Sequence, residues 1–257
     1  MENTQLLSEL LRPRSIAELN LPPDLSNSLQ RMESCGSVMN LLFYGEPGIG
    51  KTSAARILTQ KTDVYEINGS FSYGDKTMLK EIEKFASTMS LIDRPKVCFI
   101  DEAEYLTKEV QAGLRYTIER FSRSTRFILT ANDFKKVTPA LRSRCVPICF
   151  DVAPKDRPLV VDRMVARYEQ RLSELGYEYD PTRLREIVGI YFPDLRTIAN
   201  HFELSFGGPV KKVMSGPAVL MEPEEDQRAA IEHMMEEFVE VGGFKNLKLC
   251  SEASKQQ

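Results

Sequence analysis

The feature that most constrains this chain is Gly45-Glu46-Pro47-Gly48-Ile49-Gly50-Lys51-Thr52. The apolar run Leu41-Leu42-Phe43-Tyr44 precedes it, and Ser53-Ala54-Ala55-Arg56-Ile57-Leu58 follows with helical composition. Strand, glycine-rich turn and helix is the setting that a phosphate-binding loop needs. In such a loop successive backbone N–H groups point inward as an anion nest, and the helix N-terminus adds positive partial charge. Gly45, Gly48 and Gly50 let the backbone wrap phosphates where a Cβ would clash. Lys51 is expected to set an ammonium on the β- and γ-phosphates, and Thr52 to offer its hydroxyl to Mg2+. The whole stretch from Gly45 to Ser53 is therefore the expected ATP-binding loop.

A chain built around this unit is expected to be α/β. Further strand-like runs are Val64-Tyr65-Glu66-Ile67, Val97-Cys98-Phe99-Ile100, Arg126-Phe127-Ile128-Leu129 and Val146-Pro147-Ile148-Cys149-Phe150. Stretches with helical composition or spacing cover 24–35, 77–88 and 107–120. Strands alternating with helices predict a five-stranded parallel sheet covered on both faces. Pro147 cannot donate to a ladder and puts the last strand at the edge. After Asp151 the pattern is helical only. Leu159, Val160, Met164, Tyr168, Leu172 and Leu175 fall roughly on one face, Gly176 stops that helix, and 181–191 and 194–205 give two more. The expected division is an ATPase domain over 1–152, a three-helix lid over 153–206 and a short tail over 207–257. One amphipathic helix in the tail carries Ile231, Met234, Met235, Phe238 and Val241.

Composition narrows the setting. A hydrophobic share of 42% and a charged share of 28% are those of a soluble globular protein. With a net charge of -3, nucleic-acid contact has to come from a local basic patch. No apolar stretch is long enough to span a bilayer and the N-terminus lacks a signal segment, so a cytoplasmic, intracellular chain without a membrane is expected. The five cysteines form no CxxC pair, which argues against a disulfide framework or zinc site.

Three further constellations carry chemistry. Asp101 and Glu102 follow the apolar run 97–100, at the strand end where open α/β sheets bind ligands. Asp101 is expected to hold Mg2+, and Glu102 to orient and deprotonate an attacking water. Glu104 reads as a solvated helix residue. Asn132 ends Ile128-Leu129-Thr130-Ala131-Asn132, placed either to hold the water or to sense the γ-phosphate. Arg142 and Arg144 precede the last strand. They read either as solvated surface or as guanidinium donors to a neighbouring subunit's γ-phosphate.

In this order GEPGIGKT, FIDEAE, TAND and LRSRC resemble the AAA+ ATPases. Ser143-Arg144-Cys145 resembles the arginine-finger motif of sliding-clamp loader small subunits of the replication factor C type. Residues Thr107 to Glu119 are similar to the helix that follows the acidic box in that family. Leu11-Arg12-Pro13 resembles its N-terminal stretch, which implies that Arg12 and Pro13 pack on adenine. Phe192-Pro193-Asp194-Leu195-Arg196 resembles the lid motif, which implies that Arg196 touches the γ-phosphate in cis while Arg144 acts in trans. The resemblance implies Lys51, Glu102, Asn132, Arg144 and Arg196 as the catalytic set. It implies ATP and Mg2+ as cofactors, and a sliding clamp, primer-template DNA and other clamp-loader subunits as partners. DNA contacts are expected from Lys80, Lys84, Lys108 and Arg115. The stretch after the lid is shorter than the family's C-terminal helical collar. Two other functions fit the motifs: a non-catalytic AAA+ scaffold, and a remodeller acting on protein through Phe71 or Tyr73.

Overall fold

Strand residues alternate between two cores, and that alternation sets the architecture. In the computed structural model, which describes residues 6–19, 21–36, 38–71, 75–90 and 96–206, Leu41, Phe43, Val97, Phe99 and Ile128 lie in one apolar cluster. Their neighbours Leu42, Cys98, Ile100, Phe127 and Leu129 lie in another. Side chains of a strand point to opposite faces in turn. A strand that is apolar at every position is therefore buried on both sides, as a parallel sheet requires.

The strands are β1 (Leu41–Tyr44), β2 (Val64–Asn68), β3 (Lys96–Asp101), β4 (Thr125–Ala131) and β5 (Val146–Cys149). They form a parallel sheet in the order β2-β3-β4-β1-β5. The central strands β1, β3 and β4 are the most apolar, while β2 and β5 are the half-exposed edges. Pro147 sits on edge strand β5, paired with Leu42 on the inner side.

The helices that precede or connect the strands are α1 (Leu7–Leu10), α2 (Pro23–Cys35), α3 (Lys51–Thr59), α4 (Asp75–Ser87), α5 (Lys108–Arg120) and α6 (Pro139–Arg142). α2 and α3 add Leu29, Ile57 and Leu58 to the first core. α4 and α5 add Met78, Ile82, Leu114 and Ile118 to the second. α1 stops ahead of Arg12-Pro13, where the proline ring forbids continuation. Thr107 caps α5 by accepting the Val110 N–H.

Beyond β5 come α7 (Arg157–Leu175), α8 (Pro181–Tyr191) and α9 (Leu195–Phe206). They share a separate apolar cluster with Leu7 and Leu11 of the N-terminal segment. Gly176 ends α7 at φ 76°, a left-handed position that glycine takes without steric cost. The buried stripe of α7 is Val160, Met164, Val165, Tyr168 and Leu172. Leu159, expected on that stripe, is 47% exposed. The i, i+4 row from Val160 to Leu172 defines the inner face, and Leu159 lies one residue, about 100° of turn, away from it. The stretch after Phe206, where an amphipathic helix is expected around residues 231–241, and Tyr73 lie outside the described residues.

Candidate nucleotide site

The loop expected to hold phosphate runs from the end of β1 into α3, at the C-terminal edge of the sheet. Its three glycines have φ of 140°, 75° and 101° at Gly45, Gly48 and Gly50. Two of them also face close neighbours. A Cβ on Gly48 would stand 1.9 Å from Asp194 Oδ1, and one on Gly45 would stand 2.5 Å from Asp151 Oδ1. Asp151 accepts the Glu46 N–H at 2.8 Å. The Leu195 N–H donates to the Gly48 carbonyl at 3.0 Å. Both the segment after β5 and the start of α9 thus grip the loop backbone. We expect Gly48→Ala to lower ATP affinity at least about tenfold, because it combines a strained φ with a steric clash. Titration with a fluorescent ATP analogue checks this, and parental affinity would show that the close approach is dispensable.

Lys51 is 6% exposed. Its Nζ donates to the carbonyls of Gly45 at 2.8 Å and Glu46 at 2.6 Å, and to Asn132 Oδ1 at 2.8 Å. Burial pushes its ammonium below the usual lysine range, while Glu104, Asp151 and Asp101 pull it back up. Thr52 Oγ1 donates to Asp101 Oδ1 at 2.9 Å. A hydroxyl beside a carboxylate is the hard-oxygen donor set that Mg2+ selects, so the residues present fit that ion.

Glu102 takes φ 56°, ψ 44°, and among the described residues it alone has a left-handed backbone without being glycine. For such a residue the cost is about 1–3 kcal/mol. The turn is held from two sides. Its N–H donates to Thr130 Oγ1 at 2.9 Å, and a Cβ at Gly69 would stand 2.7 Å from its carbonyl. Thr130 Oγ1 in turn donates to Asp101 Oδ1.

Lys51, Thr52, Asp101, Glu102 and Asn132 converge on one cleft of about 470 Å³. Arg12 and Pro13 line it from the N-terminal segment, Pro47, Gly48, Gly50 and Ser53 from the loop, and Arg196 from α9. Not every expected residue meets the cleft. Ile49 is 5% exposed and packs into the first core. Gly45 and Glu46 touch the site through the carbonyls that hold Lys51. Arg144 stands outside the cleft's lining. Its Nε donates to Glu119 Oε1 at 2.6 Å and its NH1 to Ser143 Oγ at 2.9 Å.

One expectation is corrected. Glu104 is not solvated: it is 7% exposed, and its Oε1 accepts the Asn132 N–H at 2.9 Å. Glu104 lies on the short 3-10 helix Ala103–Tyr105, and the left-handed turn at Glu102 aims its side chain at the end of β4 instead of at solvent. Sequence reasoning also missed Thr130, Asp151 and Asp194. Thr130 had a signal, since it lies two residues before Asn132 and so faces the same way. Asp151 had none without the strand order that sets β5 beside β1.

Residues 41–150 match the family "ATPase family associated with various cellular activities (AAA)". The chain is 32% identical over 201 residues to replication factor C subunit 5 of Mus musculus, covering 75% of this chain and 58% of that protein. It is 36% identical over 208 residues to the replication factor C small subunit of Methanoculleus marisnigri, covering 77% and 62%. The chain therefore spans about three fifths of the length of these curated relatives. Among solved structures, two variants of RuvB from Thermotoga maritima superpose with TM-scores of 0.57 and 0.59 at 21% identity, covering 74% of this chain and 63% of theirs. At that identity the likeness speaks for the fold.

Proposed function

From the premise that this chain carries an AAA-family ATPase domain and resembles replication factor C subunits, we propose that it binds and hydrolyses ATP as one subunit of a sliding-clamp loader. The observation that carries the reading is the convergence of Lys51, Thr52, Asp101, Glu102 and Asn132 on one cleft, closed on the α9 side by Arg196. On this reading the residues divide as an ATPase domain over 1–152, a lid over 153–206 and a tail over 207–257.

Each side chain has a physical task. Lys51 neutralises phosphate charge in a site that is already partly desolvated, where charge interactions are strong. Thr52 and Asp101 would hold Mg2+. That ion, when bound, neutralises charge developing on the β- and γ-phosphate oxygens. Glu102 orients a water and takes its proton as the water oxygen bonds to the γ-phosphorus and the bond to the bridging oxygen of ADP breaks. Asn132 positions the water or reads the presence of the γ-phosphate, and Arg196 adds charge from the lid in cis. Arg12 and Pro13 bound the base end of the cleft. Arg144 lies outside its own chain's cleft, as a finger acting on a neighbour would, and would complete the next subunit's site.

Clamp, primer-template DNA and fellow subunits are the partners of this reading, and ATP would favour the closed assembly that hydrolysis releases. Lys80 and Lys84 on α4, and Lys108 and Arg115 on α5, are all exposed on two helices that pack together. They offer a local basic surface for phosphate contacts despite the acidic chain. The test is steady-state ATP hydrolysis of the full chain with and without primed DNA and a sliding clamp. Stimulation by the two together supports the reading. Turnover indifferent to both favours a protein remodeller, for which Phe71 is 66% exposed, and nucleotide binding with no turnover favours a scaffold.

A further inference from the structure

We propose that Glu104 is a positioning residue for hydrolysis, tying the residue that touches Lys51 to the turn that presents Glu102; this rests on the ATPase reading above. The link is built from two reciprocal contacts. β4 sends the Thr130 side chain to accept the Glu102 N–H at 2.9 Å. The turn after β3 sends the Glu104 side chain to accept the Asn132 N–H at 2.9 Å. Thr130 lies on β4 and Asn132 directly follows its last residue, Ala131, so the same strand end makes both contacts, one through the Thr130 hydroxyl and one through the Asn132 backbone N–H. Between them they brace the left-handed turn at Glu102 and fix the strand end that carries the Asn132 side chain to Lys51.

Burial supports a dedicated role. Glu104 is 7% exposed, yet its Oε2 has no hydrogen-bond partner among the described residues. Buried polar atoms are nearly always paired, and an orphan calls for a reason. A residue kept only for packing would meet that site better with an apolar side chain. Glu104 does not line the cleft, so it acts through Asn132 and not on the nucleotide. The tie makes the two halves of the reacting centre move as one: a shift of Asn132 strains the turn that aims Glu102.

The test measures kcat, KM and ATP affinity of the full chain for Glu104→Ala, Glu104→Met and Glu104→Gln, beside the parent and Glu102→Gln. Methionine fills similar space without an oxygen acceptor and covers the case in which the alanine variant fails to fold. We expect Ala and Met to lower kcat about tenfold or more, as a misaimed group does. KM and ATP affinity should stay within about threefold, the mark of an interaction made in the transition state. Gln keeps an acceptor for the Asn132 N–H and should restore kcat to within about threefold of the parent. The proposal falls if Ala or Met turns over like the parent, if a folded Gln variant is as impaired as the others, or if affinity falls along with kcat. Parental turnover in Glu104→Ala beside a dead Glu102→Gln overturns this proposal alone. A parent that does not hydrolyse ATP overturns the ATPase reading with it.

Discussion

Glu102→Gln is expected to slow ATP turnover at least ~100-fold while ATP binding stays within a few-fold of the parent, in the range one acid–base group supplies. The substitution keeps the side chain's size and removes the proton acceptor. It leaves the binding groups in place: the Lys51 contacts to Gly45, Glu46 and Asn132 and the Thr52–Asp101 pair involve no atom of Glu102. The backbone contact from the Glu102 N–H to Thr130 is also kept, so the left-handed turn survives. Single-turnover hydrolysis beside equilibrium binding separates the two effects. A variant that hydrolyses at the parental rate would remove Glu102 from the chemistry.

Arg144→Ala is expected to be as severe, by a different route. An arginine finger supplied by a neighbour contributes on the order of a thousandfold or more to phosphoryl transfer. In its own chain the Arg144 side chain pairs with Glu119, and the two are 38% and 45% exposed. An ion pair that open to solvent is worth about 0–1 kcal/mol. That is too little to hold the guanidinium against a γ-phosphate, so the resting contact and a role in trans are compatible. The variant should bind ATP as the parent does and fail to hydrolyse it in the presence of primed DNA and clamp. Undiminished turnover under those conditions would make Arg144 surface charge.

Much of the fold could be read directly because parallel strands leave a plain mark. Val97 to Ile100 is apolar at every position, which only a strand buried on both faces tolerates, and Pro147 marked its own strand as an edge. The three helices after β5 were equally legible from Gly176 and from the break at Phe192-Pro193-Asp194. Leu159 shows the limit of face-reading: a roughly drawn stripe admits a flanking residue that three-dimensional packing leaves outside. At the site, residues that face phosphate chemistry announce themselves by type and spacing. Residues that hold those residues do not. Asp151 braces the loop through the Glu46 N–H, and that depends on β5 pairing with β1, a fact of strand order. Glu104 reads as an ordinary surface acid until the turn at Glu102 aims its side chain at the Asn132 N–H.

On the proposed reading, one chain's nucleotide cleft is completed by Arg144 of another. Mixing two inactive variants addresses it most directly. Lys51→Ala lacks a working cleft but keeps its finger, and Arg144→Ala keeps the cleft but lacks the finger. Subunit contacts in a ring are heterologous, so random mixing in equal amounts should create about one productive interface in four. ATP turnover with primed DNA and clamp should therefore be near zero for each variant alone and recover to about a quarter of the parental rate in the mixture. A mixture that stays as inactive as its components, or an Arg144→Ala chain that is active alone, would contradict the claim.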